Sequence, residues 1–137
     1  MISKIIYGVI LVPFLLITKG LNFGEDQNLS YQSLYREIVK DGIEYPEIVW
    51  SQAVLESGHF TSDVFKKNRN LFGMRLPRKR STLAKGSRDG YALYDTWQES
   101  VKDYKLYQEA YFKERKISKS DYLKHLSKSY CEIGPEY

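Results

Sequence analysis

A mainly α domain of about five helices, broken by one small β-hairpin, is the fold class that this sequence predicts. Two observations predict it. Apolar residues recur at helical spacing in segments that open on Ser, Thr or Pro, and one central stretch, Met74 to Tyr94, loses that period and holds Pro77, Gly86 and Gly90. The length of 137 residues suits one domain with a modest core.

The elements follow in order. Ser30 is the expected N-cap of a first helix, with Tyr31, Leu34, Tyr35, Ile38 and Val39 at helical spacing and Asp41-Gly42 as its stop. Pro46 suits the first turn of a second helix, and Tyr45 before it is expected to be extended. This helix carries Ile48, Val49, Trp50, Ala53, Val54 and Leu55 on nearly every side, so it is predicted to be buried from several directions and to end at Gly58. Ser62 caps a short helix through Val64 and Phe65. In the aperiodic stretch, Tyr91 to Tyr94 reads as a strand, paired with residues near Thr82 to Lys85 across a turn. Thr96 and Glu99 form a capping-box pattern ahead of a long helix bearing Trp97, Val101, Tyr104, Tyr107 and Tyr111. Ser120 is the expected cap of the last helix, which places Leu123, Leu126 and Tyr130 on one face.

The N-terminus differs in kind. Lys4 precedes an almost wholly apolar run from Ile5 to Ile17. A run of that length matches the apolar core of a signal peptide and is short for a membrane span. Residues 1–20 are therefore read as a signal peptide or N-terminal anchor, 21–29 as a linker and 30–137 as the domain. Export to the periplasm, cell envelope or medium follows, with membrane contact only through that segment.

Composition narrows the chemistry. The single cysteine, Cys131, cannot form an internal disulfide, and His59 and His125 are too scattered for a zinc site. No metal or organic cofactor is expected. Aromatic content is 15%, and the twelve tyrosines offer flat apolar faces with polar tips, suited to cores and to sugar clefts. The net charge of +4 is local: Arg75, Arg78, Lys79, Arg80, Lys85 and Arg88 fall together without an acid, so the rest of the chain is net negative. The patch lacks interleaved aromatics and lies in a loop, which argues against nucleic acid. It reads as a solvated flap or as a dock for anionic envelope polymers.

Glu56 breaks a local rule. It stands in the last turn of an apolar helix, where the negative end of the helix dipole favours Lys, Arg or His. Dipole and desolvation both disfavour its charged form and raise its pKa. A carboxyl that stays protonated near neutral pH is suited to protonate a glycosidic oxygen.

Four blocks then fall in sequence: Gln52-Ala53-Val54-Leu55-Glu56-Ser57-Gly58, Asn70-Leu71-Phe72-Gly73-Met74, Tyr94-Asp95-Thr96 with Ser100 and Asp103-Tyr104, and Pro135-Glu136-Tyr137. Together they resemble the glucosaminidase family of lysozyme-like cell-wall hydrolases, the endo-β-N-acetylglucosaminidases of autolysins and flagellar rod-type hydrolases. The resemblance covers roughly residues 30 to 137. It implies a lysozyme-like helical lobe with a small β-hairpin lobe over a cleft. Glu56 falls at the catalytic acid and Tyr137 at the catalytically important cleft tyrosine. Asn70 and Phe72 would shape the cleft wall and bind substrate with Tyr94, although packing is the stronger expectation for Tyr94, Ser100, Asp103 and Tyr104.

The resemblance also implies a substrate, the glycan strands of peptidoglycan, cut after N-acetylglucosamine by a monomer. Two departures stand out. Many relatives carry a second carboxylate before a β-lobe strand, whereas Arg80 to Lys85 holds no acid; Asp89, beside Gly90, reads as a turn residue. The spacing from Tyr130 to Tyr137 is also one residue longer than usual. A lytic transglycosylase shares the helix-ending Glu-Ser pair and needs one acid only, so it is the rival activity. A non-catalytic wall-binding module is the third reading.

Overall fold

The computed structural model describes residues 28–131, and the side chains of residues 28–129. The predicted leader, most of the linker and Tyr137 lie outside the described residues. Five helices and a two-stranded sheet run in the order α1 (Tyr31–Lys40), α2 (Pro46–Glu56), α3 (Asp63–Asn68), β1 (Gly86–Arg88), β2 (Tyr91–Leu93), α4 (Trp97–Phe112) and α5 (Lys119–Cys131). This is the mainly α, lysozyme-like arrangement with a small β-hairpin. No described helix is long and apolar enough to cross a membrane.

Local chemistry starts the helices. The Ser30 hydroxyl accepts from the Ser33 amide, and Ser33 returns the bond to the Ser30 amide, closing a capping box on α1. Ser62 caps α3 by accepting from the Phe65 amide. At α4, Thr96 accepts from the Glu99 amide, while the Glu99 carboxylate reaches Asp95 rather than Thr96. The last helix starts earlier than predicted: Ser118, not Ser120, accepts from the Asp121 amide. Tyr45 is left-handed (φ 56°, ψ 56°), not extended. Its hydroxyl donates to the Ile117 carbonyl, and this long-range tie together with stacking on Tyr122 overrides the local preference before proline.

The core lies between the helices. Leu34 and Ile38 of α1, Val49 and Ala53 of α2, Leu71 and Phe72, Val101 and Tyr104 of α4, and Tyr122 of α5 are fully buried. On α1 only Leu34 and Ile38 face inward; Tyr31, Tyr35 and Val39 form an exposed stripe. On α5 the inward pair is Tyr122 and Leu126, with Leu123 turned outward, a one-residue rotation of the predicted face. Polar bonds lock the helices in register. Buried Gln108 clasps the backbone of Glu44 with both ends of its amide and also reaches the Tyr122 hydroxyl. Tyr104 donates to Gln52 at 2.7 Å, which fastens α4 to α2.

The hairpin is tighter and shorter than predicted. Ser87 pairs with Ala92 and Arg88 with Tyr91, leaving Asp89-Gly90 as a two-residue turn with both φ angles positive (53° and 81°). That geometry is the type I′ loop, which Asp-Gly fills at low conformational cost. From Thr82 to Lys85 only the Lys85 amide reaches the partner strand, through the Leu93 carbonyl.

Candidate active site

Glu56 stands at the final position of α2. The helix ends there because Gly58 adopts a left-handed conformation and the His59 amide returns to the Val54 carbonyl. Ser57 is fully buried and accepts from the Phe60 amide, so the second residue of the Glu-Ser pair is part of the turn. Glu56 lies one turn beyond Gln52, and the Gln52–Tyr104 bond therefore sets the roll of the helix that presents the acid.

The Glu56 carboxyl opens onto a cleft of about 550 Å³ whose walls include Met74, Arg75, Tyr91, Tyr107 and His125. It reaches the surface of the cleft, yet the walls strip enough water from it to lift its pKa above the ordinary glutamate range. The negative end of α2 acts in the same direction. Among the described residues no hydrogen bond or ion pair holds the carboxyl, and it is the cleft's only carboxylate. Beneath it the chain turns back at Gly73, where φ is 63°; a Cβ there would lie 3.7 Å from Glu56 Oε2. A larger cavity of about 820 Å³, beside Tyr45, Phe112 and Lys113, contains no residue of the four sequence blocks.

The three expected substrate-binding residues lie elsewhere. Asn70, Phe72 and Tyr94 are 1%, 0% and 2% exposed, each packed into the interior. Asn70 donates to the carbonyls of Met74 and Ala92 and accepts from the Phe72 and Met74 amides, so it folds the 70–74 turn and pins it to β2. The Phe72 ring lies against Tyr104 with centroids 4.3 Å apart. Tyr94 donates to Asp103 at 2.8 Å. All three shape the cleft from behind. Asn68, which the sequence did not single out, adds a second tie by donating to the Arg88 and Tyr91 carbonyls of the hairpin.

The cleft wall instead includes Tyr107 and His125. Burial pushes the Tyr107 hydroxyl up to about 12 and pushes the His125 imidazole below its ordinary value. The Tyr107 hydroxyl and Nε2 of His125 share a hydrogen bond. The imidazole stacks on Tyr111 with ring centroids 3.4 Å apart, and the Tyr107 ring lies 5.8 Å away, centre to centre. No sequence signal marks this pair, because the two residues are 18 apart and meet only when α5 packs on α4.

Asp89 is exposed at the tip of the hairpin. Asp89→Asn is expected to retain activity to within about tenfold, a barrier change below about 1.4 kcal/mol. Assay of the folded variant on peptidoglycan at several pH values checks this; collapse at every pH would show that the hairpin supplies a base.

The basic stretch is not one patch. Arg80 is drawn inward onto Asp103, Lys85 lies near Asp95 and Glu99, and Arg88 donates to the Lys67 carbonyl. Exposed Arg78 and Lys79 have no such partner among the described residues.

The family model Glucosaminidase, described as mannosyl-glycoprotein endo-beta-N-acetylglucosaminidase, matches residues 32–137. Protein bax of Escherichia coli (strain K12) is 40% identical over 57 residues, 42% of this chain and 21% of that protein. The match thus spans about a fifth of that relative's length. No solved structure matches the chain.

Proposed function

The chain belongs to the glucosaminidase family, and from that premise we propose that it hydrolyses the β-1,4 bond after N-acetylglucosamine in peptidoglycan, with Glu56 as general acid. The observation that carries this reading is the Glu56 carboxyl, set at a helix end and exposed in an open cleft whose walls partly desolvate it and so raise its pKa. The family description names cleavage at N-acetylglucosamine; the choice of peptidoglycan as the polymer is part of the proposal. An enzyme with that substrate works outside the cytoplasm, in keeping with the apolar run from Ile5 to Ile17.

The chemistry needs one proton donor and one nucleophile. Glu56 gives its proton to the leaving oxygen as the glycosidic bond breaks. Since no second carboxylate lines the cleft among the described residues, the carbonyl oxygen of the substrate's own 2-acetamido group attacks C1, in the substrate-assisted variant of glycoside hydrolysis. Water then adds at C1, the acetamide is restored, and Glu56 recovers its proton. Tyr137 is carried as the cleft tyrosine on the family resemblance alone.

Mass spectrometry of digested muropeptides tests the proposal. Reducing N-acetylglucosamine ends are the expected product. The single acid also suits a lytic transglycosylase, and anhydro-muramic ends would establish that activity instead. Wall binding without cleavage would leave a binding module.

Anionic envelope polymer remains a candidate partner through Arg78 and Lys79, with Arg80 removed from the patch by its ion pair. Arg78→Ser with Lys79→Ser is expected to weaken binding to intact wall more than cleavage of short soluble glycans. The difference should fade with salt, since exposed charges are screened beyond about 8 Å at physiological ionic strength. Pelleting assays across a salt series, beside turnover of soluble fragments, check this; equal loss on both substrates would rule the dock out.

A further inference from the structure

We infer that Arg80 is a positioning residue for the cleft, holding Tyr107 and Met74 in place from behind so that the wall keeps its shape when a glycan binds. The inference rests on reading the cleft as a glycan site. Its geometry is that of a fork used on every side. Nη1 and Nη2 of Arg80 meet the two carboxylate oxygens of Asp103 at 3.2 and 3.0 Å, and Nη1 also donates to the Ser81 carbonyl at 2.9 Å. On its outer edge Nη2 reaches the Met74 sulfur at 3.8 Å, and the guanidinium lies 6.0 Å from the centre of the Tyr107 ring. Met74 and Tyr107 both line the cleft with Glu56.

The anchor beneath Arg80 is rigid. Asp103 is wholly buried and also accepts from the Leu83 amide at 2.8 Å and the Tyr94 hydroxyl at 2.8 Å. Arg80 therefore cannot swing without leaving a buried carboxylate short of a partner. Tyr107 is confined from its other side by Tyr104 and His125. Lysine at position 80 keeps a charge for Asp103, but a single ammonium cannot span the carboxylate, the thioether and the ring together.

The test is a binding titration on the full chain in a Glu56→Gln background, with a soluble tetrasaccharide of alternating N-acetylglucosamine and N-acetylmuramic acid as probe. Arg80→Lys is expected to raise Kd about tenfold, the scale of effect that follows loss of a preset geometry. Tyr107→Leu should weaken binding as well, and the two changes together should do less than the product of the single losses, because Arg80 acts in part through that ring. A purely structural role for Arg80 lowers the number of competent sites and leaves Kd where it was. An unchanged Kd in Arg80→Lys, multiplicative losses in the pair, or a parent that does not bind the tetrasaccharide overturns the inference. Should Kd depend on Arg80 as expected while the protein with Glu56 intact cleaves nothing, the hydrolytic reading fails and the positioning role stands.

Discussion

Glu56→Gln is expected to fold and to cleave peptidoglycan about a thousandfold more slowly, a rise of roughly 4 kcal/mol in the barrier. Glutamine keeps the size and polarity of the side chain but has no proton to give. The fold should tolerate it, since among the described residues no ion pair or hydrogen bond depends on the carboxylate. The raised pKa has a further consequence of definite sign. The native state holds the Glu56 proton more tightly than the unfolded chain does, so wild-type stability falls as pH rises from the ordinary glutamate range through the higher native value. The glutamine variant lacks that loss and should melt above the wild type at neutral pH, with the difference vanishing in acid. On the proposed mechanism catalysis runs with the same proton: wild-type turnover should persist above the ordinary glutamate range and decline once Glu56 ionises. Near-normal turnover by a well-folded glutamine variant would remove Glu56 from the mechanism.

Asp103→Ala should be the most damaging change to the fold, costing roughly 3–5 kcal/mol. Asp103 is 0% exposed and Arg80 only 15% exposed at the side chain, so deleting the carboxylate strands a cation with little water to take its place. The same change frees the Leu83 amide and the Tyr94 hydroxyl, two groups that hold the loop and β2 on α4. Domains of this size have about 5–15 kcal/mol in hand, so a large share of the total is lost. Burial by itself would raise the Asp103 pKa, yet the bonds from Arg80, Thr82, the Leu83 amide and Tyr94 outweigh it and hold the carboxyl below the ordinary aspartate range. Its stabilisation is therefore complete above that range and lost as pH falls through the lowered native value. Urea unfolding at neutral pH should show the full deficit, and the alanine variant should lack this part of the wild type's acid sensitivity. A midpoint shift equivalent to less than about 1 kcal/mol would show that the network contributes little.

Glu56 and Asp103 differ in what a linear chain reveals about them. Glu56 is legible because its oddity is local: an acid at the end of an apolar helix conflicts with neighbours within four residues and with the helix's own dipole. Ser30, Ser62 and Thr96 are legible for the same reason, since a cap bonds an amide only three residues away. The Asp89-Gly90 turn is likewise set by the φ angles that those two residues tolerate.

What the sequence by itself determined about this protein is thus its helical class, its hairpin, and the acid at the end of α2. Only the tertiary structure decided which of the block residues face the cleft. Asn70, Phe72 and Tyr94 belong to the blocks that resemble the family, but a block does not say which way a side chain points; partners at Ala92, Tyr104 and Asp103 turn all three inward. Arg80 reads as one more surface cation until Asp103, 23 residues on, is brought beneath it. Tyr107 and His125 become a cleft wall only when folding brings their side chains together from α4 and α5. The physical reason is range: caps, turns and helix periods are settled by contacts within one turn of chain, whereas burial, ion pairing and the direction of a side chain are settled by residues that folding brings from far away.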